Sequence, residues 1–437
     1  MNFFKTNVLT LFSKIICLAS SLFISIYIAR ILGPSVKGAY YLLIQTVLIL
    51  ATISLFGIDS AVIYYLGKKR YSGKHIAITS NFITLFASLL ITALLLGFHK
   101  VSFLTNKLPE LRFSYLFIIA LAMPFINIVR LNSATLMGFN KFISFNILNI
   151  AVFAVMVLNF IIFVVILKMA FFGALLSFLL SYLIMSAIYL IVIFRSNEIH
   201  GYDRKFSEKI NVTTLLNYGT KFFLVPVLLL ILYRIDTFFL SYYSAMSVVG
   251  VYSVALSFAE LLLFIPESTG TILYPKLAYL QKIDANKRFL FILRMSMSLT
   301  FGVTVIFFIT IRYLLPMVYG VAYNDSIELT YLLLPGIVAI SSLYLFSSYF
   351  QAIGKPIIIT VVLFIVLIVK AGLSYLLIPI MGSSGAAIAT TLSYLFCFLI
   401  FLVIFVIKTR FQLKEIFLFK SSDFSILKNS INDLIHF

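Results

Sequence analysis

The sequence is cut into blocks of about 20 or more almost purely apolar residues, and block length limits what the chain can become. A helix needs about 20 residues to cross roughly 30 Å of hydrocarbon. A membrane β-barrel would show alternating segments of about 10 residues instead, which excludes it. Composition agrees: 62% of the 437 residues are hydrophobic and 11% are charged, against about 25% charged in soluble domains. The expected fold class is an all-α integral membrane protein with twelve transmembrane helices, at 8–32, 38–66, 76–98, 113–139, 142–167, 170–194, 215–241, 247–275, 289–318, 326–352, 356–379 and 384–407. The first block is longer than a signal-peptide core and is followed by no small-residue cleavage site, so it reads as a retained span.

A net charge of +19 is also seen in nucleic-acid binders, but here the basic residues cluster in short loops between spans. Topology explains that better. One side collects Lys5, the group Lys68, Lys69, Arg70 and Lys74, then Lys141, the linker cations, Lys276 to Arg288, Lys355 and the tail, twenty in all. The other side holds six: Arg30, Lys37, Lys100, Lys107, Arg112 and Lys168. Both termini are therefore expected in the cytoplasm. The tail, 408–437, reads equally as an amphipathic surface helix or as disordered.

Between the first two apolar runs lies Tyr27-Ile-Ala-Arg-Ile-Leu-Gly33-Pro34-Ser-Val-Lys-Gly38-Ala-Tyr40-Tyr41, read as a tight polar turn. Pro34 presets a turn, and Gly38 is expected to supply unusual backbone angles. A shift of 212 residues carries Gly38-Ala-Tyr40 onto Gly250-Val-Tyr252. The same shift matches Gly173-Ala174 to Gly385-Ala386 and Ser181-Tyr-Leu183 to Ser393-Tyr-Leu395. Six spans per copy give both copies one orientation, hence a parallel repeat with the substrate path between the halves. The expected organisation is an N-lobe at 1–194, a cytoplasmic linker at 195–214, a C-lobe at 215–407 and the tail.

Ionisable groups inside spans cost roughly 2.5–3.5 kcal/mol on insertion scales and normally face a cavity or a partner. The mid-span set is Arg130, Arg234, Lys370, Asp236 and Glu260. Lys14, Lys221, Arg294, Arg312 and Glu328 lie near span ends and can snorkel. Helical spacing groups Tyr41, Gln45, Thr52 and Asp59 on one face of the second span. Ser253, Ser257, Glu260 and Glu267 repeat that logic in the eighth, Asn127 joins Arg130 in the fourth, and Tyr344 sits in a Ser/Gln stripe of the tenth. Isolated Ser and Thr can simply cement helix packing; stripes that include charges point to a central polar cavity. Arg234 and Asp236, two apart on a helix, face different sides, so Asp236 or Glu260 is expected to meet Lys370 or Arg130 across spans and to serve as a gate. Cys17 and Cys397 sit in apolar blocks, the four histidines have no ligand spacing, and no phosphate loop occurs, so neither metal, cofactor nor enzymatic activity is expected.

The motif Ala29-Arg30-Ile-Leu-Gly33-Pro34 with Gly38-x-Tyr40, on twelve spans with inside termini, resembles the Wzx-type polysaccharide flippases of the multidrug/oligosaccharidyl-lipid/polysaccharide exporter superfamily. The resemblance implies a bacterial inner-membrane protein that moves undecaprenyl-diphosphate-linked oligosaccharide repeat units outward by alternating access. It also implies a polysaccharide polymerase and chain-length regulator as partners, membrane lipid as surroundings, and no nucleic acid. A cationic lumen of Arg130, Arg234, Lys370, Lys14 and Lys221 would then offset the desolvation of the diphosphate. Tyr41, Gln45, Thr52, Ser253, Ser257 and Tyr344 would bind sugar, and Asp59, Asp236, Glu260 and Glu267 would gate or couple ions. The alternatives are a drug/cation antiporter of the same superfamily and a membrane-embedded polymerase or acyltransferase.

Overall fold

The computed structural model describes residues 3–98, 113–195, 208–278 and 282–411. In hydrocarbon every backbone amide must find its partner inside the protein, and a helix does this within one segment. Among the described residues all regular structure is helical apart from one isolated bridge between Tyr71 and Glu208. The helices are α1 (Phe3–Tyr27), α2 (Gly33–Leu55), α3 (Ile58–Lys68), α4 (Gly73–Phe98), α5 (Phe113–Gly138), α6 (Phe142–Phe160) and α7 (Ala170–Arg195). They continue as α8 (Val212–Tyr243), α9 (Met246–Glu260), α10 (Phe264–Ala278), α11 (Lys282–Tyr319), α12 (Asp325–Ala352) and α13 (Ile357–Thr409). The chain is an all-α integral membrane protein.

Ten helical stretches among the described residues are long and apolar enough to cross a membrane. Two of them, Phe12–Leu55 with 44 residues and Ile357–Thr409 with 53, are about 66 and 80 Å long at ~1.5 Å per residue, enough for two crossings of ~30 Å each. Both break near the middle at a glycine with a backbone that L side chains rarely adopt. Gly33 has φ 82° and ψ 174°; Gly382 has φ 58° and ψ −129°. Dividing both there turns ten stretches into twelve segments, ten plus two.

The chain forms two compact units, Met1–Arg234 with Ser244–Gly250, and Ile235–Tyr243 with Val251–Phe437. The first therefore runs past the expected linker, along α8. The reason is packing at the start of that helix. A Cβ on Gly219 would lie 2.6 Å from the Phe56 carbonyl oxygen, and one on Gly57 would lie 2.3 Å from the Gly219 oxygen. Phe223 stacks on Phe56 at 5.1 Å. Just before α8, Ser72 N–H donates to the Glu208 carbonyl at 2.8 Å, and Arg70 grips the Glu208 carboxylate through Nε and Nη2 at 2.7 and 3.1 Å. Those hydrogen bonds hold the Glu208 carboxyl below its usual range. The tie is complete above the unfolded value of about 4.3 and is lost as pH falls through the lowered folded one. Residues 196–207 and the tail beyond 411 lie outside the described residues.

In the first unit α5 is central, packed on α2, α3, α4 and α7 through buried Ile119, Met123, Ile126 and Leu131. In the second, α12 is central against α10, α11 and α13. There Phe346 stacks on Phe401 at 5.4 Å, and Tyr349 donates to Asn286 Oδ1 at 2.7 Å.

The repeat-matched glycines have a shared structural cause. Gly38 is helical, so it does not supply an unusual backbone angle as expected. It removes a side chain: a Cβ there would lie 2.0 Å from the Met246 carbonyl oxygen. Its match, Gly250, would collide in turn with the Pro34 oxygen at 2.0 Å, and the two glycines lie against each other. Gly173 and Gly385 repeat the device, with Cβ positions 2.8 Å from the Phe163 oxygen and 2.4 Å from the Leu377 oxygen. Ser181 and Ser393, also matched, both donate back to the carbonyl four residues earlier. Neither backbone in these crossings can yield cheaply, so Gly38→Ala should destabilise the protein by about 1–3 kcal/mol or more. Thermal unfolding in detergent should show a lowered midpoint, while Gly97→Ala, where nothing lies within 4 Å, leaves it unchanged.

Candidate functional site

The first unit holds a cavity of about 480 Å³ whose wall includes Leu48, Thr52, Asp59, Ile63, Arg130, Ser133, Asn149, Tyr182 and Leu230. Arg130 projects from α5 and donates through Nη1 to Thr52 Oγ1 at 2.8 Å. Thr52 in turn donates to the Leu48 carbonyl at 2.8 Å, so the hydroxyl that receives the guanidinium is fixed to α2. Asp59 lies in the first turn of α3, where a carboxylate complements the helix dipole, and it accepts from the Ser60 N–H at 2.9 Å. Tyr189 steadies the polar wall: its hydroxyl donates to Asn149 Oδ1 at 3.2 Å and accepts from Ser133 at 3.0 Å. A cation, a carboxylate, an amide, hydroxyls and two rings thus share one pocket, within the usual volume range of ligand sites.

The four-residue stripe expected on one helix face is divided. Phe56 and Gly57 both have positive φ, 48° and 68°, which ends α2 and starts α3 in a new direction. Thr52 and Asp59 still meet in the cavity. Tyr41 and Gln45 turn to Arg234, which donates through Nε to Gln45 Oε1 at 3.1 Å and lies 5.7 Å from the Tyr41 ring centre. Arg234 also donates to the Tyr233 carbonyl at 3.2 Å.

In the second unit the expected cross-span pairing is present, with a different consequence. Lys370 Nζ stands 3.3 Å from Asp236 Oδ2, and both side chains are 0% exposed. Tyr252 and Thr390 donate to the same carboxylate oxygen, Thr390 at 2.7 Å. Lys370 also faces the Tyr394 ring at 5.0 Å. Asp236 and Lys370 therefore neutralise each other in a sealed core. This corrects the expectation that Lys370 faces a lumen, because a buried ion is held by its own counterion and cannot present its charge to a ligand as well. Ser374, about one helical turn from Lys370, is buried with it.

The other expected residues scatter. Lys14 is half-buried on α1 and Lys221 is exposed on α8, and neither lines the cavity. Ser253 is fully buried, and Ser257 donates to its carbonyl at 2.7 Å. Glu260, Glu267 and Tyr344 are half-buried in the second unit. Asn127 is buried, donating to Ser54 at 2.6 Å and Ser88 at 2.8 Å, which makes it a strut joining α2, α4 and α5.

Two features went unread in the sequence. Lys37, assigned to an outer loop, is only 4% exposed, and donates to Ser25 at 2.7 Å. The tyrosines matched by the repeat, Tyr182 and Tyr394, stand respectively in the cavity wall with Arg130 and over Lys370; the repeat itself was the signal that marked them.

Breaking a buried pair from one side leaves an uncompensated charge and costs about 3–5 kcal/mol. Asp236→Asn and Lys370→Met should each lower thermal stability in detergent by that order. The double variant should recover most of the loss.

A family model described as "Polysaccharide biosynthesis protein" matches residues 5–281. No curated protein sequence matches the chain. Among solved structures, an inward-facing multidrug resistance MATE family transporter of the MOP superfamily aligns at TM-score 0.74 and 17% identity, over 89% of this chain and 93% of that one. The lipid II flippase MurJ in its inward closed conformation aligns at TM-score 0.69 and 19% identity, over 99% and 91%. A MOP superfamily transporter from Pyrococcus furiosus, whose binding pocket is described as reversed in polarity, aligns at 0.60 and 14%, over 92% and 95%. The likeness to all three is one of fold, the fold of membrane transporters and flippases. With its model covering well over half of the chain, the protein belongs to the polysaccharide biosynthesis protein family.

Proposed function

We propose that the protein is a flippase for undecaprenyl-diphosphate-linked oligosaccharide repeat units, moving them from the inner to the outer leaflet of a bacterial inner membrane by alternating access. The observation that carries this reading is Arg130, set in the cavity wall of the first unit by a neutral hydroxyl. A guanidinium positioned without an ion-paired neighbour at hydrogen-bond distance retains donors for a phosphate, and two-pronged donation to phosphate is its strongest interaction. Asn149, Ser133 and Tyr182 beside it are the groups that bind sugar hydroxyls. The membrane potential adds to the drive: an anion leaving a negative interior gains about 2.3 kcal/mol per charge per 100 mV. No catalytic role is assigned to any residue.

The reading places both termini in the cytoplasm. The positive-inside count supports it: with Lys37 buried, six outer cations become five against twenty. The two lobes of the parallel repeat, 1–194 and 215–407, would provide the alternating motion. A polymerase and chain-length regulator acting on the exported repeats would be the natural partners. A drug/cation antiporter fits less well, because cationic drugs need carboxylates with charge to spare. Asp236 is spent on Lys370, and Asp59 shares its cavity with Arg130.

Arg130→Ala should reduce display of surface polysaccharide at least tenfold, with lipid-linked repeats accumulating on the inner leaflet and the protein still in the membrane. Arg130→Lys should be milder. Normal display in the alanine variant would overturn the reading.

A further inference from the structure

The helix that carries part of the cavity wall also carries a feature that the cavity's chemistry does not explain. Helix α3 carries Asp59 and Ile63 in the cavity wall, and one residue further on it begins an aromatic cluster. Tyr64 stacks on Tyr218 at 4.1 Å with planes 16° apart. Tyr65 meets Tyr71 and Tyr218 edge-on, each at 5.5 Å, and Phe222 lies 5.0 Å from Tyr218. The four tyrosines are half-buried and Phe222 is 46% exposed, so the rings form a surface and not a core.

The surface is strongly cationic. Lys68 stands 4.7 Å over Tyr64, and Lys68, Lys69, Arg70, Lys74 and Lys209 are all exposed. Against these five cations the described residues here offer one acid, Glu208, which Arg70 already neutralises through two hydrogen bonds. Lysine and tyrosine at a membrane boundary are ordinary anchors when scattered. Here they are assembled: α3, the 70–72 segment and α8 are fastened together by the Ser72–Glu208 backbone bond and the ring stacking.

Ring faces and ammonium groups side by side suit one class of ligand. The C–H face of a pyranose packs on an aromatic face, while a phosphate next to it takes ammonium donors. A bare phospholipid headgroup would use the lysines and leave the rings without a role. We propose that this platform is the docking surface for the sugar–diphosphate headgroup of the lipid-linked substrate before it enters the cavity along α3. The proposal rests on the flippase reading above and names a second site on the same path.

The chain contains no tryptophan, so Phe222→Trp installs a single reporter. The full chain, in nanodiscs of zwitterionic lipid, would be titrated with undecaprenyl diphosphate carrying one N-acetylglucosamine, with undecaprenyl diphosphate alone, and with phosphatidylglycerol. The sugar-bearing probe should give saturable quenching at least fivefold tighter than the sugarless one. Tyr64→Ala should abolish that difference, and Lys68→Ala with Lys69→Ala should weaken both diphosphate probes and flatten their salt dependence. The lysine pair is exposed and keeps the test usable if loss of Tyr64 unfolds the cluster. Equal responses to all three lipids, or sugar preference untouched by Tyr64→Ala, would overturn the platform. If that happens while Arg130→Ala still blocks export, the platform alone fails. Normal export by Arg130→Ala with an intact sugar preference would instead overturn the cavity reading.

Discussion

An ionised side chain within about 30 Å of hydrocarbon has to be answered from inside the protein, and the two units answer it differently. In the second unit a counterion gives the answer. Asp236 receives an ammonium and two hydroxyls on one oxygen, and the pair is closed off from solvent. In the first unit it is partial. Arg130 leans on the Thr52 hydroxyl, Lys37 on the Ser25 hydroxyl, and Arg234 on the neutral Gln45 amide and a tyrosine ring. A neutral acceptor positions a cation without cancelling its charge. In the first unit Arg130 is therefore a cation that a neutral acceptor positions in a cavity wall.

Close backbone approach is the condition for that arrangement. Side chains as short as threonine can reach a neighbouring guanidinium only where helices lie near one another. Glycines that let backbones approach closely elsewhere recur at the 212-residue spacing, Gly38 with Gly250 and Gly173 with Gly385, each where a methyl group would meet a carbonyl oxygen. In membranes such small-residue crossings replace the hydrophobic drive that soluble cores rely on. The repeat is thus visible in sequence chiefly through what it lacks at these positions, a side chain.

The all-α class and most span positions were legible because each rests on a long apolar signal. The site was legible only in part. Thr52 and Asp59 share a cavity wall as their helical spacing suggested, and Arg130 joins them from another span, but Tyr41 and Gln45 leave for Arg234. The cause is the break at Phe56 and Gly57, and Phe56 is a residue type that gives no warning of positive φ. The break is held by Gly219, more than 160 residues away in the chain, so no local pattern contains it. Lys37 was misplaced for a related reason. A cation beside Gly-Pro reads as loop, whereas the helix begins at Gly33 and carries the lysine inward.

The distribution of charge bears on which substrate the fold can serve. A transporter of cations would be built the other way round, with carboxylates steadied by neutral donors and its cations paired off. Here the mid-span acid Asp236 is the group that is paired off, and the cavity's own acid, Asp59, sits at a helix N-terminus where the dipole and a backbone N–H already satisfy part of its charge. Removing the lysine from the second unit would release an acid there, and removing Asp59 would make the first unit more cationic still. Moving one or two side chains would therefore change the sign of substrate that the charges favour, and the proposed anionic substrate rests on Arg130 being held by a neutral hydroxyl.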